Sequence, residues 1–185
     1  MIRKLQIGVI GSAGPDKADG ADSVARDVGK RIAERGHVLV FGPELQPVSL
    51  STLAAKAAAE DNGTTLAIAL GRGRTSFEGM EYVSAWVYTD NSGGGGREVV
   101  LANSCDGVIV IGGGVGTLIE IAVSYMNLVP VVLIESTGGW ADKLNDAYLD
   151  ERRKVRMHKC ADVEEAIRHI ENATRTRALR TLHNK

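Results

Sequence analysis

The residues best placed to do chemistry run from Gly112 to Glu120, Gly-Gly-Gly-Val-Gly-Thr-Leu-Ile-Glu, directly after the apolar run Val108-Ile109-Val110-Ile111. Such a run reads as a parallel strand buried on both faces, and a helix is expected from about Thr117. Strand, glycine turn and helix N-terminus together make an anion site. First-turn N–H groups lack intrahelical partners and the helix dipole adds partial positive charge there, while glycine removes the Cβ that would block close approach. Gly112, Gly113, Gly114, Gly116 and Thr117 are therefore expected to hold the phosphate of a ligand. A second turn, Gly11-Ser12-Ala13-Gly14, follows the first apolar segment and adds Gly11 and Ser12 to the same task. It does not have the GxGxxG spacing, so NAD is not expected.

Two further side chains are candidates for reactivity. Thr117 and Glu120 have the spacing of a capping box, in which the glutamate reaches back to a backbone N–H. The alternative is a carboxylate one turn inside a phosphate-binding helix, able to activate water or stabilise charge at an anomeric carbon. Arg97 opens a helix after the run Gly93-Gly94-Gly95-Gly96, where the dipole disfavours a cation. It is either a surface residue or a bidentate grip on a phosphate or carboxylate. Arg72 and Arg74 are weaker candidates for that grip, Ser12 is equally at home in ordinary turn chemistry, and Trp140 is either a lid over a base or a packing residue.

Composition narrows the classes. At 185 residues, with a formal net charge of -1, one domain is expected, without the basic face that nucleic-acid binding needs. No apolar run approaches the roughly 20 residues that span a bilayer. The N-terminus enters a strand without a signal-peptide pattern, which gives a cytoplasmic expectation. Cys105 and Cys160 read as reduced structural thiols. The histidines at 37, 158, 169 and 183 form no ligand-spaced motif, so no metal site is expected.

Strands are expected at residues 5–10, 37–41, 64–70, 108–111 and 129–134, with short ones at 83–89 and within 152–160. Helices alternate with them: one capped by Asp22 or Ser23 and stopped at Gly36, one over 52–60, one from Arg97, the central one, one from Gly139 through Leu149, and one over 163–171 capped by Asp162. The alternation predicts an α/β fold, a Rossmann-like, doubly wound, mainly parallel sheet with helices on both faces, in strand order 3-2-1-4-5. That order sets Gly11–Gly14 beside Gly112–Gly116 over one crevice. Residues 71–96 form a long segment at the carboxyl end of the third strand, where ligands bind in such sheets. The domain is expected to span 1–173, with 174–185 a basic, frayed tail. In the central helix, Thr117, Glu120, Ser124 and Asn127 make one polar stripe between two apolar rows, predicting one row on the sheet and the other against a second subunit, as a dimer or tetramer.

The segment Gly112–Glu120 resembles the PGGxGTxxE motif of the Lonely-guy (LOG) family, grouped with DprA/Smf-like proteins and molybdenum cofactor carriers in one superfamily. Arg97, fifteen residues before Gly112, matches the arginine of that family's upstream helix. The resemblance implies hydrolysis of the N-glycosidic bond of a nucleoside 5′-monophosphate or related phosphosugar, with Glu120 as catalytic acid/base, Arg97 positioning substrate, and no cofactor required. Gly112 replaces the family's proline, the loop after the second strand lacks its glycine-rich turn, and Arg97 lacks its Met-x-x-Arg context. These departures bring the chain closer to the carrier branch. Hydrolysis therefore stands as the leading expectation, and a non-catalytic carrier or sensor of a phosphorylated pterin or nucleotide cofactor, such as the molybdenum cofactor held as cargo, as the alternative.

Overall fold

The computed structural model describes residues 3–14, 17–44, 48–71, 80–90 and 96–183, with side chains through 177. In chain order the elements are β1 (Gln6–Gly11), α1 (Ala21–Glu34), β2 (Val38–Phe41), α2 (Leu50–Glu60), β3 (Thr64–Ala69), β4 (Ala85–Tyr88), α3 (Arg97–Asn103), β5 (Gly107–Ile111), α4 (Val115–Met126), β6 (Val131–Ile134), α5 (Gly139–Lys143), β7 (His158–Cys160) and α6 (Val163–His183). Arg72 and Arg74 lie outside the described residues, as does most of the glycine run before Arg97.

Period-two alternation builds the layers. Ile7 and Val9 of β1, Leu39 and Phe41 of β2, Ile109 and Ile111 of β5, and Val132 and Ile134 of β6 face one core, closed by α1, α2 and α6. Ile10, Val40, Val108, Val110, Val131 and Leu133 face the other, closed by residues of α3, α4 and α5. The strands pair in the order β4-β3-β2-β1-β5-β6-β7, and every pairing is parallel. The expected doubly wound order holds, with β4 added beyond β3. The chain runs outward from β1 to β4, then returns to lay β5 beside β1. The crevice between those two carboxyl ends is the switch point of the sheet.

Several element ends differ from expectation. No side chain caps α1, since Gly20 takes the N-cap position at φ 83°, while Asp22 sits in the first turn paired with Lys17. Helix α4 begins at Val115, so Thr117 lies inside its first turn. Helix α5 stops at Lys143; the Asp142 carboxylate accepts from the amides of Ser136 and Gly138 at its start, and residues 144–157 are irregular. Helix α6 does not end near 171 but continues to His183. No glycine or proline interrupts that stretch, and it is docked: Thr174 donates to the Asp106 carbonyl and Arg177 to that of Leu128. Among the described residues no helix is long and apolar enough to cross a membrane.

The central helix is turned in an unexpected sense. Its polar residues Thr117, Glu120 and Ser124 are buried, while Val115 and Met126 are exposed. Of the expected polar stripe, Thr117 and Glu120 face the cavity described next, Ser124 is buried beyond it, and Asn127 is exposed.

Candidate ligand-binding site

A cavity of about 540 Å³ opens at the switch point, lined by Gly11–Gly14 of the first turn, Gly42 and Glu44 after β2, Arg97 and Glu98 of α3, Gly113–Thr117 and Glu120 of α4, and Lys143 of α5. The two glycine turns that the sequence singled out thus meet over one space. They are also tied together. The Gly113 amide donates to Ser12 Oγ at 2.7 Å and Thr117 Oγ1 donates to the Gly11 carbonyl at 3.3 Å. The Gly112 amide donates to Thr137 Oγ1 at 2.8 Å, so Gly112 braces the turn and is not among the cavity-lining residues. Its φ of 65°, and the 2.5 Å that would separate a Cβ from Ser12 Oγ, explain why glycine stands there.

The N-terminus of α4 is what this bracing presents. Gly114 takes the N-cap with an extended backbone and no side-chain cap. The first-turn amides of Val115, Gly116 and Thr117 have no intrahelical acceptor by helix geometry, and all three residues line the cavity. The capping-box alternative for Glu120 is therefore not what forms: Thr117 is not the N-cap, and Glu120 lines the cavity. Burial pushes the Glu120 carboxyl up to about 8; Arg97 pulls the other way, and Glu98 and Glu44 reinforce the rise. At neutral pH this carboxyl is mainly protonated.

Arg97 is nearly buried, its side chain 12% exposed, and it holds Glu44 at 2.8 Å. Its second terminal nitrogen donates to the Pro43 carbonyl at 3.3 Å, and its Nε has no hydrogen-bond partner among the described residues. The guanidinium lies flat on Gly42, where a Cβ would come within 3.1 Å of Cζ. A side chain at position 42 would displace it. Trp140 packs against the core and is not among the cavity-lining residues.

Sequence reasoning missed Glu44, Glu98 and Lys143. Glu44 follows a proline in a loop and reaches Arg97 across 53 positions, so no local spacing signals it. Glu98 resembles an ordinary first-turn acid that complements the helix dipole, yet it is buried. With Glu120 neutral, the carboxylates of Glu44 and Glu98 balance Arg97 and Lys143, and the amides of α4 are left to bias the cavity towards an anion.

A parallel sheet with a glycine-lined cavity at its switch point defines the class, a Rossmann-like α/β protein. Residues 4–167 match the SLOG cluster4 family, and the chain belongs to that family. An uncharacterised protein of Archaeoglobus fulgidus is 34% identical over 140 residues, covering 72% of this chain and 86% of the relative. The solved structure of TM1055 is similar at 30% identity and a TM-score of 0.76, covering 91% of this chain and 99% of that one. The molybdenum cofactor carrier protein of Chlamydomonas reinhardtii is similar at 30% identity and a TM-score of 0.75, covering 92% of this chain and 98% of that one.

Proposed function

We propose that the cavity holds a phosphorylated pterin cofactor, the molybdenum cofactor first among them, and that the protein carries this cargo through the cytoplasm without transforming it. The observation that carries the reading is the end-to-end likeness to a carrier of that cofactor, on a chain whose cavity lies at an uncapped helix N-terminus. Its volume of about 540 Å³ falls in the range of small-molecule sites. In this reading the phosphate sits on the amides of Val115, Gly116 and Thr117, within reach of Ser12, and Arg97 and Lys143 supply the countercharge. Two unpaired buried cysteines suit a reducing compartment.

The test is loading. Purified protein incubated anaerobically with the molybdenum cofactor should retain molybdenum and pterin together through gel filtration, near one per chain. Gly114→Leu should not retain them: no atom lies within 4 Å of a Cβ there, so the fold tolerates the side chain while it fills the cavity mouth. Loss of both components from the wild-type protein on the column would defeat the carrier reading.

One observation favours a second reading. A carboxyl raised to about 8 is what a general acid at neutral pH requires. Glu120 could then protonate the leaving base of a nucleoside 5′-monophosphate, with Arg97 positioning the substrate. Free base released by the wild type, and abolished in Glu120→Ala with binding kept, would replace the carrier with a hydrolase.

Under either reading copies of the chain associate through α3 and α4. Val115 (73% exposed), Met126 (48%), Val99 (40%) and Val100 (36%) form an uncovered apolar surface there. Sedimentation should show a dimer or larger species, and Val115→Glu with Met126→Glu should reduce it to monomer.

A further inference from the structure

Away from the cavity, at the β7 edge of the sheet, three potential metal ligands converge that the sequence leaves scattered. His158 and Cys160 are two residues apart on β7 and so project from one face of the strand. Glu165 lies in the first turn of α6, which follows β7 after a two-residue turn. One ligand atom from each of His158, Cys160 and Glu165 lies within 4.8 Å of the other two. His158 Nε2 and Glu165 Oε1 are already 2.9 Å apart. The ring of His169, one turn further along α6, stacks on His158 at 4.1 Å and 1°, which fixes the plane of the imidazole. The Cys160 thiol is buried, with Asp162 and Glu135 adding negative charge nearby.

We propose that His158, Cys160 and Glu165 form a site for a borderline-soft divalent cation of the zinc class, tying the edge strand to the last helix. The donor set decides the class. Thiolate with imidazole and one carboxylate suits Zn²⁺ or Co²⁺, whereas Mg²⁺ and Ca²⁺ take oxygen ligands. Metal–ligand bonds of about 2.0–2.3 Å place tetrahedral ligands about 3.3–3.7 Å apart. Closing from 4.8 Å thus asks for about 1 Å of side-chain movement, within reach of small torsional adjustments of Glu165, which is exposed. On binding, the Cys160 thiol gives its proton to solvent. The proton that His158 Nε2 shares with Glu165 is passed through solvent to Nδ1 so that Nε2 is free to ligate, two metal bonds replace that hydrogen bond, and water takes the fourth position.

Cobalt titration of the full-length, chelator-treated protein tests this. One equivalent of Co²⁺ should bind with a thiolate-to-cobalt charge-transfer band and the visible bands of a tetrahedral centre, and Zn²⁺ should displace it. Cys160→Ser should lose the charge-transfer band, and Cys105→Ser should keep it. Glu165→Gln alters an exposed side chain and so leaves the fold testable; it should weaken Co²⁺ binding by about tenfold or more. The proposal falls if the wild type shows no saturable binding, if bound cobalt lacks the thiolate band, or if Glu165→Gln binds as tightly as the parent. If Cys160→Ser does not fold, the wild-type band read against Cys105→Ser decides the same point.

Discussion

On one face of the sheet α1 and α2 meet backbone to backbone, with Gly29 so close to the Ala54 carbonyl that a Cβ would lie 1.9 Å from its oxygen. Ala25, Val28 and Ile32 of α1 and Ala54, Ala55 and Ala58 of α2 are all fully buried in that layer. On the opposite face α3 and α4 turn their acids inward and three of their four valines outward. Glu98 and Glu120 are buried while Val99, Val100 and Val115 are exposed. A buried carboxyl costs free energy unless it is paired or neutral, and exposed valines gain nothing from folding alone. The first pair is arranged for stability. The second gives up stability to line a cavity on one side and leaves valines exposed on the other.

The largest effect expected from this difference is at Gly29. Gly29→Val should cost about 3 kcal/mol or more, because the new side chain meets backbone that cannot yield without parting the helices. Gly116→Ala in α4, whose nearest neighbour would be Glu98 Oε1 at 3.8 Å, should change stability by no more than about 0.5 kcal/mol. Urea unfolding of both variants checks the contrast, and equal costs would dissolve it.

Next in size is the pH dependence set by Glu120. Its carboxyl titrates near 4.5 when exposed and near 8 in the fold, so between those values the native state binds more protons than the unfolded chain. The stabilisation is fully present below 4.5, falls as pH rises, and is lost once pH passes 8, with a slope of at most about 1.4 kcal/mol per pH unit. Arg97, Glu98, Glu44 and the Cys105 thiol share that electrostatic neighbourhood. For that reason the informative quantity is the wild-type curve minus that of Glu120→Gln. That difference should slope downward through this window; parallel curves would show that Glu120 ionises as an ordinary surface acid.

The first pair of helices was also the more legible in sequence. The continuous apolar run of β5, the stop at Gly36 and the alanine-rich α2 are local patterns, and each led to the right element. The site was legible where backbone makes it: Gly113, Gly114, Gly116 and Thr117 stand beside Gly11 and Ser12 because the strand order puts them there. It was not legible where a loop supplies a side chain, as at Glu44, nor where one residue type serves opposite ends, as at the inward-facing Glu98. The extension of α6 was missed because a polar, basic helix with no apolar stripe reads as a tail. Residues 158, 160 and 165 were passed over because their convergence crosses a strand, a turn and a helix, a spacing that no linear motif contains.

The smallest effect isolates what α3 contributes through its first residue. Arg97 is engaged by Glu44 at 2.8 Å, so an anion bound at its guanidinium must compete with a carboxylate that the protein itself supplies. A partly exposed pair of this kind is worth about 1 kcal/mol. Glu44→Gln should therefore tighten binding of AMP, a phosphate-bearing probe, by roughly fivefold, and the gain should shrink at high salt as screening weakens the competition it removes. Calorimetric titration at two ionic strengths reads both effects. Unchanged affinity would mean that Arg97 does not meet the ligand. Weaker binding would mean that Glu44 aims the guanidinium and does not compete for it, and the loop after β2 would then belong to the site as a support.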